Sequence, residues 1–495
     1  MTSEVERLKE KSKKITNLEQ TSGLLHWDQE VIMPEKGIEA RSQQLSVLSG
    51  IKHEMIVSKE MHKLLESIDP EDLEELDNAT YREVNREHER ARKVDQELIE
   101  EISAQSSVTV DKWKEAREED DFSVVEEQLQ ELIKLKREYV EQIDTNEEPY
   151  KVLFNDYEPY IRFETMEEIM ETLKSELKDI LEKIRESSTD PDNIFEREIE
   201  EERQMEINRE ILNGLGYDWS KGRIDISEHP FTIGNQFDAR ITTRVDEKDV
   251  SKTLMPTIHE FGHALYEQNL PENEYGFPVG ESRDLSIHES QSRLWENHVG
   301  RSESFWKYIQ ENITEFEESD AKELYRSINR VKEDNLIRVE ADELSYHLHI
   351  YLRFKLERQL VNGDIEVTDL PEKWNEKMEN LLGIRPENDK TGVLQDIHWY
   401  QGSIGYFTTY SLGSVISAQL YETIEKDVKD LDEKVESGEF GEVREWLKEN
   451  IHQHGKHYRT EKLVEKASGE KPGADSFLDY IRDKYSEIYD LNLET

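Results

Sequence analysis

Apolar residues recur every third or fourth position along most of this chain, set in stretches rich in Glu, Lys, Leu and Arg with few Gly or Pro. That period is the signature of amphipathic helices. It predicts helices over residues 5–27 and 38–65, joined by a turn at Met33-Pro34-Glu35-Lys36-Gly37, and further helices over about 72–104, 108–145 and 164–187. Ser187-Ser188-Thr189-Asp190-Pro191 breaks the pattern before another helix at 196–212. Between 214 and 246 the texture changes to glycines and β-favouring runs at 223–226 and 238–245, which predict a small antiparallel sheet. The sheet is expected either to offer an edge strand to an extended peptide or to be a plain structural hairpin. Helical spacing returns at 255–268, where Leu254, Ile258, Phe261, Ala264 and Leu265 form one apolar face. No repeat or low-complexity linker divides the chain. The expected architecture is mostly α: one large helical domain over 1–495 with a deep cleft and the small sheet beside the helix at 255–268.

Charge changes the picture at the surface rather than in the core. The 495 residues carry 114 acidic against 64 basic side chains, a formal charge of −50, spread from Glu118-Glu119-Asp120-Asp121 to Glu198–Glu202. Nucleic acid and anionic membrane are excluded as partners, because both require a basic footprint. With 8 Trp, 20 Tyr and 14 Phe interleaved among the charges, a folded core is expected rather than a disordered acidic chain. Such a surface repels itself in dilute buffer and is screened at molar salt, where the Debye length is about 3 Å. A salt-rich cytosol, as in a halophile, is therefore expected. The absence of cysteine excludes disulfides, thiolate ligands and a cysteine nucleophile. The charged start MTSEVERLKEKSKKI has no apolar signal core, and no run is long enough to span a bilayer, so a cytoplasmic protein is expected.

The chemistry is concentrated in His259-Glu260-Phe261-Gly262-His263. Histidines four apart share a helix face and can converge on one cation, and the glutamate after the first can act as general base on a water beside it. Such a site needs a third protein ligand. Glu289, in His288-Glu289-Ser290-Gln291-Ser292, and Glu296, one helical stretch later, both satisfy the spacing.

HEFGH followed by HESQS resembles the carboxypeptidase Taq family of metallocarboxypeptidases. Its other motifs occur in order: Leu25-His26-Trp27-Asp28 with Met33-Pro34, His229-Pro230-Phe231, Asp238-Ala239-Arg240-Ile241-Thr242, Ile337-Arg338-Val339-Glu340-Ala341-Asp342, and Gly392-Val393-Leu394-Gln395-Asp396-Ile397-His398-Trp399. The resemblance spans essentially the whole chain. It implies Glu289 rather than Glu296 as third ligand to a divalent metal, zinc first and cobalt or manganese as alternatives, with Glu260 as base. It also implies a two-lobed helical fold similar to neurolysin and angiotensin-converting enzyme, a homodimer, and release of single C-terminal amino acids with broad specificity, C-terminal proline being disfavoured.

An enzyme that removes only the last residue must recognise a free carboxylate, which the arginine fork does well. Arg338 is the candidate, as the resemblance also implies, with Tyr410 as hydrogen-bond partner; Arg240 and Arg244 are runners-up. The bland alternative for Arg338 is an intrahelical pair with Asp342. His398 suits stabilisation of the oxyanion, with Tyr406 as alternative, while His229 and Asp238 are expected to shape the substrate groove or to orient the metal ligands from behind. The sequence departs from the family pattern at Thr408, where proline is expected, which bears on the placement of Tyr410. His347, His349, His452, His454 and His457 are expected to be core or surface residues. The competing functions are a same-fold oligopeptidase or dipeptidyl carboxypeptidase and a non-catalytic peptide-binding protein.

Overall fold

The computed structural model of the protein describes residues 3–332 and 335–493. It opens with four helices, α1 (Glu4–Val31), α2 (Ile38–Val57), α3 (Lys59–Glu66) and α4 (Glu75–Lys93), packed around a small core of their own that includes Leu8, Ile15, Met61, Leu64 and Val84. The stretch read as one helix over 38–65 is cut at Ser58, which turns extended and caps α3 by accepting from the Met61 N–H at 3.1 Å. The next boundary is also displaced. Val94 and Asp95 are extended, so α4 ends before them and the segment around 105 lies inside α5 (Gln96–Glu119). Asp120-Asp121 begins the turn into α6 (Ser123–Ile143), where left-handed Asp120 ends α5 and Asp121 accepts from the Ser123 N–H at 2.9 Å. Short polar side chains compete with the helical backbone in this way.

The main body continues with α7 (Pro149–Tyr157), α8 (Phe163–Glu186) and α9 (Glu201–Leu215) and then the three short strands β1 (Ile224–Ile226), β2 (Thr232–Ile233) and β3 (Arg240–Thr243). The sheet is mixed, not antiparallel as the sequence suggested. β3 lies in the middle, antiparallel to β2 but parallel to β1, with Ile241 opposite both Ile224 and Thr232. The reason is local: the β2–β3 hairpin closes through Gly234 and the Asn235 side chain, which accepts from the N–H groups of Phe237 and Asp238, and β3 then inserts between β2 and β1. β1 and β2 are left as the two edge strands.

Then come α10 (Ser251–Asn269), α11 (Leu285–Arg293), α12 (Glu303–Asn312), α13 (Ala321–Ile328), α14 (Glu343–Asn362), α15 (Leu370–Leu382) and α16 (Thr408–Asp427). Helices α17 (Leu431–Glu436), α18 (Gly441–Asn450), α19 (Thr460–Ser468) and α20 (Asp475–Tyr489) finish the body. α10, α14 and α16 are buried on nearly every side, so their apolar residues do not form a single stripe. The four N-terminal helices join this body through ionic contacts, Arg283 to Glu83 at 3.0 Å and Arg82 to the Lys456 carbonyl at 2.6 Å.

Two glycines set the centre. A Cβ on Gly262 of α10 would stand 2.6 Å from the Ser292 Cα of α11, and one on Gly413 of α16 would stand 2.6 Å from the Glu289 Cβ. Backbone therefore touches helix α11 from both sides. Gly262→Ala should push α10 and α11 apart, lowering the melting temperature and weakening metal binding together; an unchanged protein by both calorimetry and metal titration would contradict this packing.

Four histidines are buried neutral: burial pushes His298, His347, His349 and His452 down to about 3. Unfolded, each takes a proton near 6.5, so between those values the unfolded chain binds more protons than the folded one. Stability should therefore fall as pH drops below about 6.5. Melting scans in molar salt with excess chelator should show a lower transition at pH 5 than at pH 7, and a flat or rising profile would refute the assignment.

Candidate active site

α10 presents His259 and His263 one turn apart, and α11, held close by the two glycines, brings Glu289 against both. Glu289 Oε2 lies 3.6 Å from His259 Nε2 and 3.4 Å from His263 Nε2, and the ligand atoms of the three residues fall within 4.8 Å of one another. Ligands about 2.0–2.1 Å from a tetrahedral ion stand about 3.3–3.4 Å apart, so the three side chains fit a divalent cation with little movement.

The residues behind this triad fix its tautomers. His259 Nδ1 donates to Glu296 at 2.8 Å, leaving Nε2 free to ligate. His263 Nδ1 meets His288 Nδ1 at 2.5 Å, and His288 Nε2 donates to Glu267 at 2.9 Å. That chain orients the His263 lone pair toward the same point. Burial and the neighbouring His288 push His263 down to about 3, which keeps it neutral. For His259 burial works in the opposite direction to the Glu289 and Glu296 carboxylates, and the carboxylates prevail, raising its pKa. Both carboxylates are buried, yet Arg293, at 2.7 Å from Glu289 and 3.1 Å from Glu296, holds them well below the usual range. Glu296 thus contacts the far side of the His259 ring, supporting the triad without joining it. It reaches that side from a π-helical turn, Leu294–Val299, which rotates the helix after α11.

Glu260 follows His259 on α10. Burial raises its carboxyl pKa, and the Thr232 hydroxyl of edge strand β2 donates to its Oε2 at 2.6 Å. The sheet therefore fixes one oxygen of this carboxylate directly. Thr232 went unnoticed in the sequence because β2 has only two residues.

A second polar group lies across Tyr346. Arg293 stacks over the Tyr346 ring at 4.7 Å and Arg338 over the same ring at 5.8 Å. Arg338 sits on a short 3-10 turn and donates to Asp396 at 2.7 Å and to the Tyr346 hydroxyl at 3.2 Å. It makes no pair with Asp342, which caps α14 by accepting from the Ser345 N–H at 2.8 Å. Asp396 is shared with Arg353, whose Nε lies at 2.6 Å. Two guanidinium groups on one carboxylate leave a buried net charge of about +1. Burial and the neighbouring Arg338 lower Arg353 to about 10, and burial is outweighed by the arginines at Asp396, whose pKa is driven far down.

Tyr410, His398 and Tyr406 line the same region. The Arg338 guanidinium lies 5.3 Å from the Tyr410 ring, and His398 Nε2 lies 3.3 Å from the Tyr410 hydroxyl. His398 Nδ1 is buried without a hydrogen-bond partner, and burial pushes the ring down to about 4. Tyr406 stacks on His398 and Tyr410, with burial raising its hydroxyl to about 12. The loop bearing these groups is anchored by Glu357, which accepts from Trp399 Nε1 at 2.8 Å and the Gly405 N–H at 3.1 Å; burial pushes its carboxyl up to about 8. Thr408 opens α16, a first-turn position that suits proline equally well, so Tyr410 keeps its place on the helix.

Not every predicted residue joins these groups. His229 is exposed between β1 and β2, with its carbonyl accepting from Ser227. Asp238 and Arg240 pair at 2.7 Å, and Arg240 lies over Trp27 at 4.4 Å, forming a unit at the hairpin. His347 and His349 are core residues bonded to Ser411 and to the Asn335 carbonyl. His452 is likewise buried and meets Gln291 of α11 at 2.8 Å.

Comparison with known proteins places the chain in a family. The sequence pattern of the carboxypeptidase Taq (M32) metallopeptidase matches residues 7–485. Thermostable carboxypeptidase 1 of Pyrococcus furiosus is 40% identical over 490 residues, covering 97% of this chain and 98% of the relative. Carboxypeptidase 1 of Bacillus subtilis is 34% identical over 486 residues, covering 96% of this chain and 97% of the relative. The crystal structure of the M32 carboxypeptidase from Deinococcus radiodurans superposes with a TM-score of 0.94 at 32% identity, covering 99% of this chain and 100% of the other. The chain belongs to the carboxypeptidase Taq (M32) family of metallopeptidases and is a metallocarboxypeptidase.

Proposed function

We propose that His259, His263 and Glu289 hold the divalent ion of this metallocarboxypeptidase, zinc in the first instance with cobalt or manganese as substitutes, and that Glu260 is the general base. A cation held there supplies Lewis acidity and an activated water. Glu260 takes the proton of the attacking water and returns it to the departing amine, with Thr232 keeping one carboxylate oxygen aimed. The oxyanion is met by neutral donors from His398 or Tyr406. The peptide runs beside edge strand β2, with His229, Asp238 and Arg240 further along the groove, between the two lobes expected of a neurolysin-like fold.

The single observation that carries the specificity is the two-arginine, one-aspartate cluster across Tyr346 from the Glu289–Arg293 pair. Its unbalanced positive charge is the match for the carboxylate of a peptide's last residue, with Arg338 and Tyr410 making the contact. Nothing in that contact reads the last side chain, which suits release of single residues with broad specificity, C-terminal proline being the poor case. The acidic surface suits a salt-rich cytoplasm. Exposed Leu24, Ile32, Ile38, Val47 and Ile51 on the α1–α2 hairpin support a homodimer through that hairpin.

One peptide offered as free acid and as C-terminal amide should be shortened stepwise only as the acid. Arg338→Ala should lower kcat/KM on the acid by roughly 30-fold or more, the cost of losing one member of a buried charge pair, while leaving metal content unchanged. Cleavage of both forms at internal bonds would instead indicate an oligopeptidase, and equal release from both forms would remove Arg338 from the role. For assembly, Val47→Asp should convert the dimer to monomer in light scattering at high salt; a wild-type monomer under those conditions would remove the dimer.

A further inference from the structure

We propose a second metal site, outside the active site, on His62 of α3 and His88 and Glu89 of α4. His88 is wholly buried, at 0% exposure, and its Nδ1 donates to the Ile56 carbonyl at 2.6 Å. The carbonyl can only accept, so the proton of the neutral ring is on Nδ1 and the lone pair on Nε2. That lone pair points at His62 Nδ1, 3.3 Å away. His62 Nδ1 in turn receives the Arg92 guanidinium at 2.5 Å, and a guanidinium can only donate. The His88 Nε2 lone pair therefore faces a nitrogen that is already accepting, with the Arg92 guanidinium, also 3.2 Å from His62 Nε2, as the cation beside the His62 ring.

The separation also suits a shared metal ion. Two ligands on a tetrahedral zinc-like ion stand about 3.3–3.4 Å apart, so the imidazoles already sit at the required spacing. Glu89, adjacent to His88, offers a carboxylate oxygen within 4.8 Å of both nitrogens. Glu66, one turn along α3, contacts the other ring nitrogen of His62 at 3.4 Å, the same outer support that Glu296 gives His259. Arg92 supplies the positive charge when no ion is present. Beyond its contact with His62 it lies 4.0 Å from Glu89, and its side chain, 39% exposed, has room to turn out to solvent when an ion takes its place. Two imidazoles and one carboxylate favour a borderline divalent ion such as Zn²⁺ or Co²⁺ over Mg²⁺ or Ca²⁺. Bound there, the ion would tie α3 to α4 within the small N-terminal core, with no part in peptide hydrolysis.

The test is metal stoichiometry of the full-length protein, stripped with chelator, reloaded with Zn²⁺ and desalted. Wild type should retain two equivalents and His62→Ala one, with peptidase activity unchanged. His62 is partly exposed, so the substitution leaves the core intact; Glu89→Gln serves as a second variant and should also weaken the extra equivalent. Arg92→Ala, which removes the competing cation, should tighten it. A wild type holding one equivalent, or a His62→Ala protein still holding two, overturns the proposal. So does Arg92→Ala weakening the second ion, which would mean that the guanidinium supports the site rather than substituting for its ion.

Discussion

Everything at the centre of this enzyme depends on how closely α11 can lie between α10 and α16. Glycine at 262 and at 413 removes the side chains that would separate them, and the approach carries Glu289 to 3.6 Å and 3.4 Å from the Nε2 atoms of two histidines on another helix. Helices with ordinary side chains at the contact pack with their axes about 8–10 Å apart. A wider gap would leave Glu289 unable to bridge the pair. The ligand geometry is thus a consequence of backbone packing, and the surrounding apolar core, with Phe261 against Trp295 at 5.0 Å, keeps it from relaxing.

Placing so many charges in a dry interior is costly unless each is paired. Glu289 and Glu296 share Arg293, Glu296 also meets Arg301 at 3.2 Å, and Asp396 is shared by Arg338 and Arg353. These clusters differ in their balance. The one beside the histidines is arranged around carboxylates and is suited to a cation. The one across Tyr346 is in excess of positive charge and is suited to a carboxylate. The Tyr346 ring, stacked by an arginine from each cluster, separates the two while keeping them adjacent, which is the arrangement an exopeptidase needs: a scissile bond at one pole and the chain end at the other.

Much of this was legible in the sequence, and the parts that were not share a cause. The proximity of His259 and His263 was legible because both lie on one helix, where spacing alone fixes it. Glu289 could not be separated from Glu296 by spacing, since the π-helical turn that rotates Glu296 to the far side of His259 leaves no local sequence mark. Asp396 is 58 residues from Arg338 and Thr232 is 28 from Glu260, so those partnerships exist only through the fold. The helix ends at Ser58 and Val94 and the mixed sheet were misread for a related reason: capping and strand order are settled by competition among neighbours, while periodicity reports only the average burial of a segment.

The same contrast of local and global explains how an enzyme with a formal charge of −50 can take a negatively charged chain end. Within about a Debye length the surface repels such a peptide, and salt shortens the reach of that repulsion. In the buried interior the screening is gone and only nearby charges count, and there the excess is positive around Arg338 and Arg353. Salt therefore acts on the approach of the substrate far more than on its final contact. Surface and buried cluster are opposed in sign, so on the proposed assignment the arginine cluster, rather than any long-range field, would supply the affinity for the free carboxylate.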